Sequence, residues 1–303
     1  MTLTRTCIFV STLGLGQLLS AGDSSAQTVP ETREYSRNGE LSPGAAAPSL
    51  ASMMAAIQTG SPETLRATLE YGERVLCIDC VPPLEDKLLS SNNPRVRELS
   101  AWWLRRQPFA GPAVLKTIKQ VVASDADPVR RARAAEALGE FMDAHAVAPL
   151  TMAARSDQVP AVRAAAVRGL ARINDPGAGP VIAAALSDSD TTVRAAALDV
   201  LLQVAGFHDF GGLLQLLADP DPMLRTQAAR LCGEVRLAGA DATLSAVLAG
   251  DAAAGVRKAA AWALGRIGGA TGAAALQARK GVETDPFVLS AIDIAQRMHG
   301  SAP

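Results

Sequence analysis

The sequence DTTVRAAALDVL, residues 190–201, recurs in altered form along most of the chain. Six copies align on an arginine, and successive arginines are 31 to 34 residues apart: Arg97, Arg131, Arg163, Arg194, Arg225 and Arg257. Two weaker copies flank them, one around Arg66 and one in which Leu289 takes the arginine position. Such spacing is typical of stacked structural repeats, so the sequence predicts about eight repeats over residues 51–298.

Each copy carries the signals of a helix start followed by a buried helix face. In five copies a residue suited to cap a helix stands four positions before the arginine position: Asn93, Asp127, Asp190, Asp221 and Asp285. A proline follows that position in most copies, where its missing N–H group costs nothing. Small or apolar residues recur three, four and seven positions after the arginine, which predicts one buried face. Segments such as residues 179–188 predict a shorter preceding helix, so each repeat is a helical pair that must stack on its neighbours.

The segment RINDPGAGPVIAAALSD, Arg172 to Asp188, resembles the HEAT-like repeat of the phycobilisome lyases. The resemblance covers residues 62–298 and implies an all-α fold, an α-solenoid of stacked HEAT-like helical pairs. It implies little about activity, because the same repeat serves scaffolds, adaptors and a few enzymes. The stretches CIDCVPPLEDKLL and AWWLRRQPF also resemble a subgroup of exported bacterial HEAT-repeat proteins. This second resemblance implies an exported protein and no particular activity.

The N-terminus has the features of a secretory signal. One charged residue, Arg5, precedes an apolar run from Cys7 to Leu19, and small residues follow up to Ala26. We therefore expect residues 1–26 to be a signal peptide cut after Ala26, residues 27–50 to be a disordered tether, and residues 51–303 to be the repeat solenoid. The apolar run is too short to span a bilayer. The predicted location is periplasmic or secreted, without membrane insertion.

The charge balance of the chain bears on its partners. The formal net charge is −1, and removal of the signal peptide takes away one positive and one negative residue. Such a balanced chain has no overall attraction to nucleic acid or to anionic membranes. We therefore expect a protein partner, no nucleic acid, and a monomeric chain.

The motif CIDC, Cys77 to Cys80, falls in the predicted turn before a helix. Two cysteines three positions apart are oxidised by default in an exported protein. A helix N-terminus would lower the pKa of Cys80, which favours a redox-active pair. Haem attachment requires a histidine at position 81, which is Val81, and only two zinc ligands are close in sequence. A structural disulfide is the preferred interpretation, and a thiol-disulfide redox function remains the alternative.

Enzyme motifs were compared with the sequence residue by residue. Deoxyhypusine hydroxylase shares this type of repeat and binds iron through His-Glu pairs, but His145, His208 and His299 are followed here by other residues. Phosphate-binding and nucleophile-elbow motifs are also missing from the sequence. We therefore expect no cofactor and no metal. A lyase-like accessory protein for a prosthetic group remains a second alternative, because no short motif separates bilin lyases from scaffolds.

Two sets of residues are candidates for a role beyond the core. The six arginines predict a ladder between repeats, in which each pairs with a capping Asp, rather than a phosphate-binding stripe. Positions five and nine after each arginine form a column outside the buried face: Trp102 and Arg106, Glu136 and Glu140, Arg168 and Arg172, Asp199 and Gln203, Arg230 and Glu234, Trp262 and Arg266. Tryptophan and arginine are common anchors of interfaces. The column predicts a protein-binding strip on the second helices, which line the inner curve in this repeat family. The alternative is that each indole packs on a neighbouring helix or loop.

The preferred hypothesis is thus a non-catalytic periplasmic or secreted scaffold that presents a concave helical face to a protein partner.

Overall fold

A computed structural model of the chain describes residues 47–59 and 61–300. The described residues contain no strand and form these helices: α1 Leu50–Thr59, α2 Pro62–Tyr71, α3 Val81–Ser90, α4 Pro94–Arg105, α5 Gly111–Ser124, α6 Pro128–Phe141, α7 Val147–Ser156, α8 Pro160–Ile173, α9 Gly179–Ala185, α10 Thr191–Val200, α11 Gly212–Leu216, α12 Pro222–Glu234, α13 Asp241–Gly250, α14 Ala254–Ile267, α15 Ala270–Lys280 and α16 Pro286–Gly300. The predicted signal peptide and residues 27–46 of the predicted tether lie outside the described residues. The first helix begins at Leu50, which the sequence analysis assigned to the tether.

Consecutive helices pack as pairs from α1–α2 to α15–α16. The second helix of each pair also packs on the second helices of its neighbours, in the order α2, α4, α6, α8, α10, α12, α14, α16. The all-α solenoid of stacked pairs predicted from the repeat is confirmed. The predicted shorter first helices are present as α9 and α11, which begin at Gly179 and Gly212.

The starts of the second helices have the predicted local structure. Six of them begin with proline, and the capping side chains accept the backbone N–H two residues further on, as at Asp127 and Asp221. The residues three, four and seven after the arginine are fully buried, among them Ala166, Val167 and Leu170. These faces join into a core that continues from one pair to the next.

Small residues let adjacent second helices approach closely. A Cβ atom on Gly265 of α14 would lie 2.7 Å from the Cα of Ala295 in α16, and one on Gly233 of α12 would lie 2.7 Å from the Cα of Ala263. Gly139 of α6 meets Gly169 of α8 in the same way, at 2.8 Å. Real Cβ atoms do not fit at such distances, so this register of stacking requires glycine at these positions.

Five of the six repeat arginines form an ion pair with an acid in the turn of the next helical pair, and we call these ion pairs the arginine ladder. Its rungs are Arg131–Asp157, Arg163–Asp188, Arg194–Asp219, Arg225–Asp251 and Arg257–Glu283, with N–O distances of 2.7 to 2.9 Å. In each rung the arginine comes from a second helix, and the acid comes from the turn inside the next pair. Both charged groups are largely shielded from solvent, as at Arg194 and Asp219 with side-chain exposures of 12% and 4%.

The acid in each rung is not the predicted one. The sequence analysis assigned the partner role to the capping Asp, but the capping carboxylates of Asp190 and Asp221 bind the N–H groups of their own helices. The acid two positions earlier binds the arginine instead. This acid also accepts the backbone N–H of the capping residue, as Asp188 does from Asp190 at 2.8 Å, so the turn orients it toward the preceding pair.

Arg97 does not join the ladder, which corrects the prediction for this residue. Its guanidinium lies 3.3 Å from Glu136 of α6. The acid in the corresponding turn, Asp125, is bound instead by Arg130 at 3.0 Å. The first helix that precedes this turn, α5, has 14 residues and is longer than the first helices of the later pairs.

Candidate functional site

The predicted column lies on the second helices, but its two ends differ in charge pairing. In the N-terminal half its residues neutralise each other across neighbouring helices. Glu136 of α6 lies 3.3 Å from Arg97 and 3.7 Å from Arg168, and Glu140 lies 2.9 Å from Arg172. Burial raises the pKa of Glu140, and the nearby Arg172 opposes this shift. This part of the column is an internally satisfied network of ions rather than a surface in need of a partner.

Trp102, near the start of the column, is half-buried and packs against the core. The guanidinium of Arg106 lies 5.0 Å from its ring centroid, within the range of a cation–π contact. Arg106 also forms an ion pair with Glu73 of the preceding pair. The outer side of this indole is therefore covered by residues of the same chain, which agrees with the alternative interpretation in which Trp102 contacts the following loop.

The middle of the column, on α10 and the short 3-10 helix Leu201–Gln203 that follows it, is polar and hydrogen-bonded. Asp199 accepts a hydrogen bond of 2.7 Å from the amide of Gln227 on α12. Gln203 donates to the backbone carbonyl of Asp199 at 3.0 Å. Both side chains that the column contributes here are thus bound to protein atoms.

An open groove occupies the C-terminal end of the column, between α12, α14 and α16. We call it the C-terminal groove; its volume is 630 Å³. Its large apolar residues are Trp262, Phe287 and Ile294, and its charged residues are Arg230 and Lys258. Small side chains form the rest of its lining: Thr226, Gly255, Ala259, Ser290 and Ala291.

The apolar residues of the C-terminal groove differ in their exposure. The indole of Trp262 is half-buried and rests on the backbone of α12, because a Cβ atom on Gly233 would lie 2.7 Å from its ring. Phe287 and Ile294 are 70% and 40% exposed, which is high for apolar residues of this size. Lys258 lies 5.9 Å above the ring of Phe287, and Arg266 lies 5.6 Å above that of Trp262.

The cations of this groove have no carboxylate partners. Arg230 is exposed and makes no ion pair with any residue that the structure describes. Lys258 contacts a ring but no acid. Glu234, one turn after Arg230 on α12, is also exposed and has no ion pair in the described part of the chain. The lining of the C-terminal groove is therefore apolar and positively charged, unlike the neutralised N-terminal half.

The sequence analysis found part of this groove and missed the rest. It named Arg230, Trp262 and Arg266 but not Lys258, Phe287 or Ile294. The signal for Ile294 was present, because it stands five positions after Leu289 in the arginine position and so continues the column. No pattern within one repeat pointed to Phe287, since it approaches Trp262 only through the stacking of α16 on α14.

The cysteines lie where the sequence predicted, in the turn between α2 and α3. The Sγ atoms of Cys77 and Cys80 are 2.02 Å apart, and Cys80 is the capping residue of α3. The two residues are only 2% and 0% exposed. Such burial opposes attack by an external thiolate, which a redox function requires. The third cysteine, Cys232, is buried in α12, and burial raises its pKa to about 12.

The described histidines make local contacts. The Nδ1 atom of His145 lies 2.8 Å from Asp143, and that of His208 lies 2.8 Å from the carbonyl oxygen of Gly206. Among the residues that the structure describes, no group of three or more His, Cys, Asp or Glu residues is arranged to hold a metal ion. Within the same residues, every helix falls short of the length and apolarity required to cross a bilayer.

A family model for HEAT repeats matches residues 81–166, 153–206 and 211–295. No curated protein matches the sequence. Among solved structures, the chain is similar to YibA of Escherichia coli, with 17% identity, a TM-score of 0.55, and coverage of 82% of this chain and 92% of YibA. It is also similar to Kap95p in its complex with RanGDP, with 14% identity, a TM-score of 0.50, and coverage of 82% of this chain and 40% of that one. The CpcE–CpcF phycocyanin lyase of Nostoc is 20% identical with a TM-score of 0.39, over 72% of this chain and 94% of that one. At these identities the structural likeness shows the fold alone.

Proposed function

Because this chain belongs to the HEAT-repeat family, we propose that it is a non-catalytic scaffold that binds a protein partner on the exposed face of its second helices. One observation carries this proposal: the C-terminal groove combines exposed apolar side chains with cations that form no ion pair with any described residue. Isolated exposed apolar residues are ordinary, but a groove that groups an indole, a phenyl ring and free cations has the composition of an interaction site.

The rest of the exposed face of the second helices supports a binding site at the C-terminal end. In the N-terminal half, the charges of Glu136, Glu140, Arg168 and Arg172 are already paired. A ligand there would have to break these ion pairs before it gained its own, whereas Arg230 and Lys258 offer bonds at no such cost. The partner therefore makes its main contacts toward α12, α14 and α16.

The proposal includes an exported location, which the sequence of residues 1–26 supports. Expression of the full chain in its own host, followed by intact-mass measurement, tests this part. A mature protein that begins at Gln27 and is recovered from the periplasm or the medium is the expected result. Recovery of the uncleaved chain from the cytoplasm would refute the location but not the binding face.

A photo-crosslinking amino acid at a single position tests the binding face. In place of Ser290, which lines the C-terminal groove and is exposed, it should form a defined adduct with a protein partner in the native host. The matched control carries the same amino acid in place of Lys116, an exposed residue of the first helix α5. Equal adducts from both positions, or adducts only from the control, would contradict the proposal.

A further inference from the structure

We propose that the C-terminal groove binds a segment of the partner in which one or more carboxylates flank a large apolar side chain. This inference rests on the proposed function and specifies the chemistry of the partner. It follows from two properties of the groove: an apolar surface with room for one large side chain, and cations placed on both sides of that surface.

Three residues on two helices form the apolar surface of the C-terminal groove. Trp262 on α14 forms the floor, since its ring is held against α12 by the absence of a side chain at Gly233. Phe287 and Ile294 on α16 form one wall; Phe287 remains largely in solvent, and Ile294 is partly exposed. The small residues Ala259 and Ala291 leave space between them. A phenylalanine, tryptophan or leucine side chain of a partner would cover the exposed faces of these rings and be shielded from water in turn.

Cations lie around this apolar surface. Arg230 on α12 and Lys258 on α14 line the groove, and Arg266 lies over Trp262 at its edge. The groups that face them within the chain are the Phe287 and Trp262 rings, with no ion pair to any described carboxylate. Glu234 is the one acidic side chain of the column at this end, and Asp199 on α10 is already bound to Gln227. The excess of positive charge favours carboxylates of a partner and disfavours a basic segment.

The test uses the full chain and a library of random short peptides displayed on phage. We expect the selected peptides to contain Asp or Glu close to Phe, Trp, Leu or Ile. A fluorescent copy of the strongest peptide is then titrated by anisotropy at low and high salt. Arg230→Glu combined with Lys258→Glu should weaken binding at least about ten-fold, and Trp262→Ala should do the same.

Charge exchange makes the test specific. A peptide with Lys in place of its acidic residues should fail to bind the unaltered chain and should bind the double Glu variant. The matched control is Arg155→Glu combined with Lys116→Glu, the same charge change at exposed residues of α7 and α5, and it should leave the affinity unchanged. Thermal melting checks that each variant is folded. If Trp262→Ala does not fold, Phe287→Ala replaces it, because that side chain is 70% exposed.

The outcomes separate this inference from the proposed function. Selection of uncharged or basic apolar peptides that lose affinity with Trp262→Ala would overturn the inference and leave the second-helix binding face intact. Peptides that bind elsewhere, insensitive to every groove variant, would count against both, and so would a library without enriched peptides. A dimer in sedimentation that Trp262→Ala dissociates would identify a second copy as the occupant and would also overturn the inference.

Discussion

Arg163 of α8 donates two hydrogen bonds to Asp188, at 2.9 Å from Nε and 2.7 Å from Nη2, and thereby joins its own helical pair to the next. Its remaining Nη1 group donates to the backbone carbonyl of Asp157, the acid that is bound by the preceding arginine, Arg131. Each of the first four acids of the ladder thus binds the arginine of the pair before it through its carboxylate and the repeat arginine of its own pair through its backbone carbonyl. The rungs form one continuous set of bonds rather than isolated ion pairs.

Arg163→Ala should lower the free energy of unfolding by about 2–3 kcal/mol, because it leaves a mostly buried carboxylate without its cation. Urea denaturation followed by circular dichroism measures this change. The matched control is Arg95→Ala, which removes an exposed ion pair with Glu98 and should cost no more than about 0.5 kcal/mol. Equal effects of the two substitutions would show that a ladder ion pair stabilises the fold no more than an exposed ion pair does.

Lowering the pH should remove the stabilisation by the arginine ladder as its carboxylates become protonated. At Asp251 and Glu283, hydrogen bonds from arginines lower the pKa below ordinary carboxyl values. At Asp157, Asp188 and Asp219, burial raises the pKa, but the arginine and backbone bonds outweigh it and the net shift is downward. Because the folded-state pKa values are depressed, this stabilisation is fully present above the unfolded value of about 4 and is lost as the pH falls further.

Melting temperature recorded from pH 7 down to pH 3 tests this expectation. It should stay nearly level above pH 5 and fall steeply below about pH 4. The Asp188→Asn variant removes one titrating rung, so its stability should depend less on pH in the acidic range. A variant with the same acid dependence as the unaltered chain would contradict the assignment.

Gly265→Ala should destabilise the C-terminal pairs by about 1–3 kcal/mol, because the added Cβ would meet the backbone of α16 at Ala295. The control is Gly250→Ala at the exposed end of α13, where no atom lies within 4 Å of the added Cβ. That change should leave stability unaltered or raise it by up to about 1 kcal/mol. Thermal and urea unfolding of both variants measure the difference. Similar results for the two glycines would mean that close helix approach is not required.

Because we propose that the protein is exported, Cys77 and Cys80 should be oxidised and should resist exchange while the protein is folded. Alkylation of the native protein, read by mass spectrometry, should therefore modify none of Cys77, Cys80 and Cys232. Denaturant alone should expose Cys232, and reductant with denaturant should expose all three. Replacement of both paired cysteines by serine should cost about 2 kcal/mol in the loop-entropy model. Ready reduction of the native pair by glutathione would favour the redox alternative instead.

The repeat pattern predicted the fold well because each signal acts within one helix. The capping residues, the prolines and the buried positions such as Val167 depend on neighbours a few residues away, and the structure bears them out. The acid that binds each ladder arginine, in contrast, depends on how the turn of the next helical pair is placed against that arginine. The sequence placed that role on capping residues such as Asp190, whose carboxylate is already used by its own helix.

The candidate site was predicted less completely, for a related reason. The column includes Trp262 and Arg230 of this groove, because both stand at repeat positions on single helices. The groove, however, also requires Phe287, which meets Lys258 and Trp262 of α14 only when α16 stacks on that helix. The neutralisation of the N-terminal half depends on side-chain distances such as that from Glu136 to Arg168, which residue spacing does not specify.

The ion pairs of the arginine ladder all run from one helical pair to the next pair along the chain. This order determines which part of the protein should unfold first. Every rung runs from a second helix to the turn of the next pair, and the last described pair has Leu289 in the arginine position. Removal of α15–α16 would strand the guanidinium of Arg257, whereas removal of α1–α2 would break no rung. Shortening from the N-terminus and shortening from the C-terminus are therefore not equivalent for this protein. Amide hydrogen exchange should be fastest in α1–α4 and slowest in the pairs from α5–α6 onward, which should exchange together.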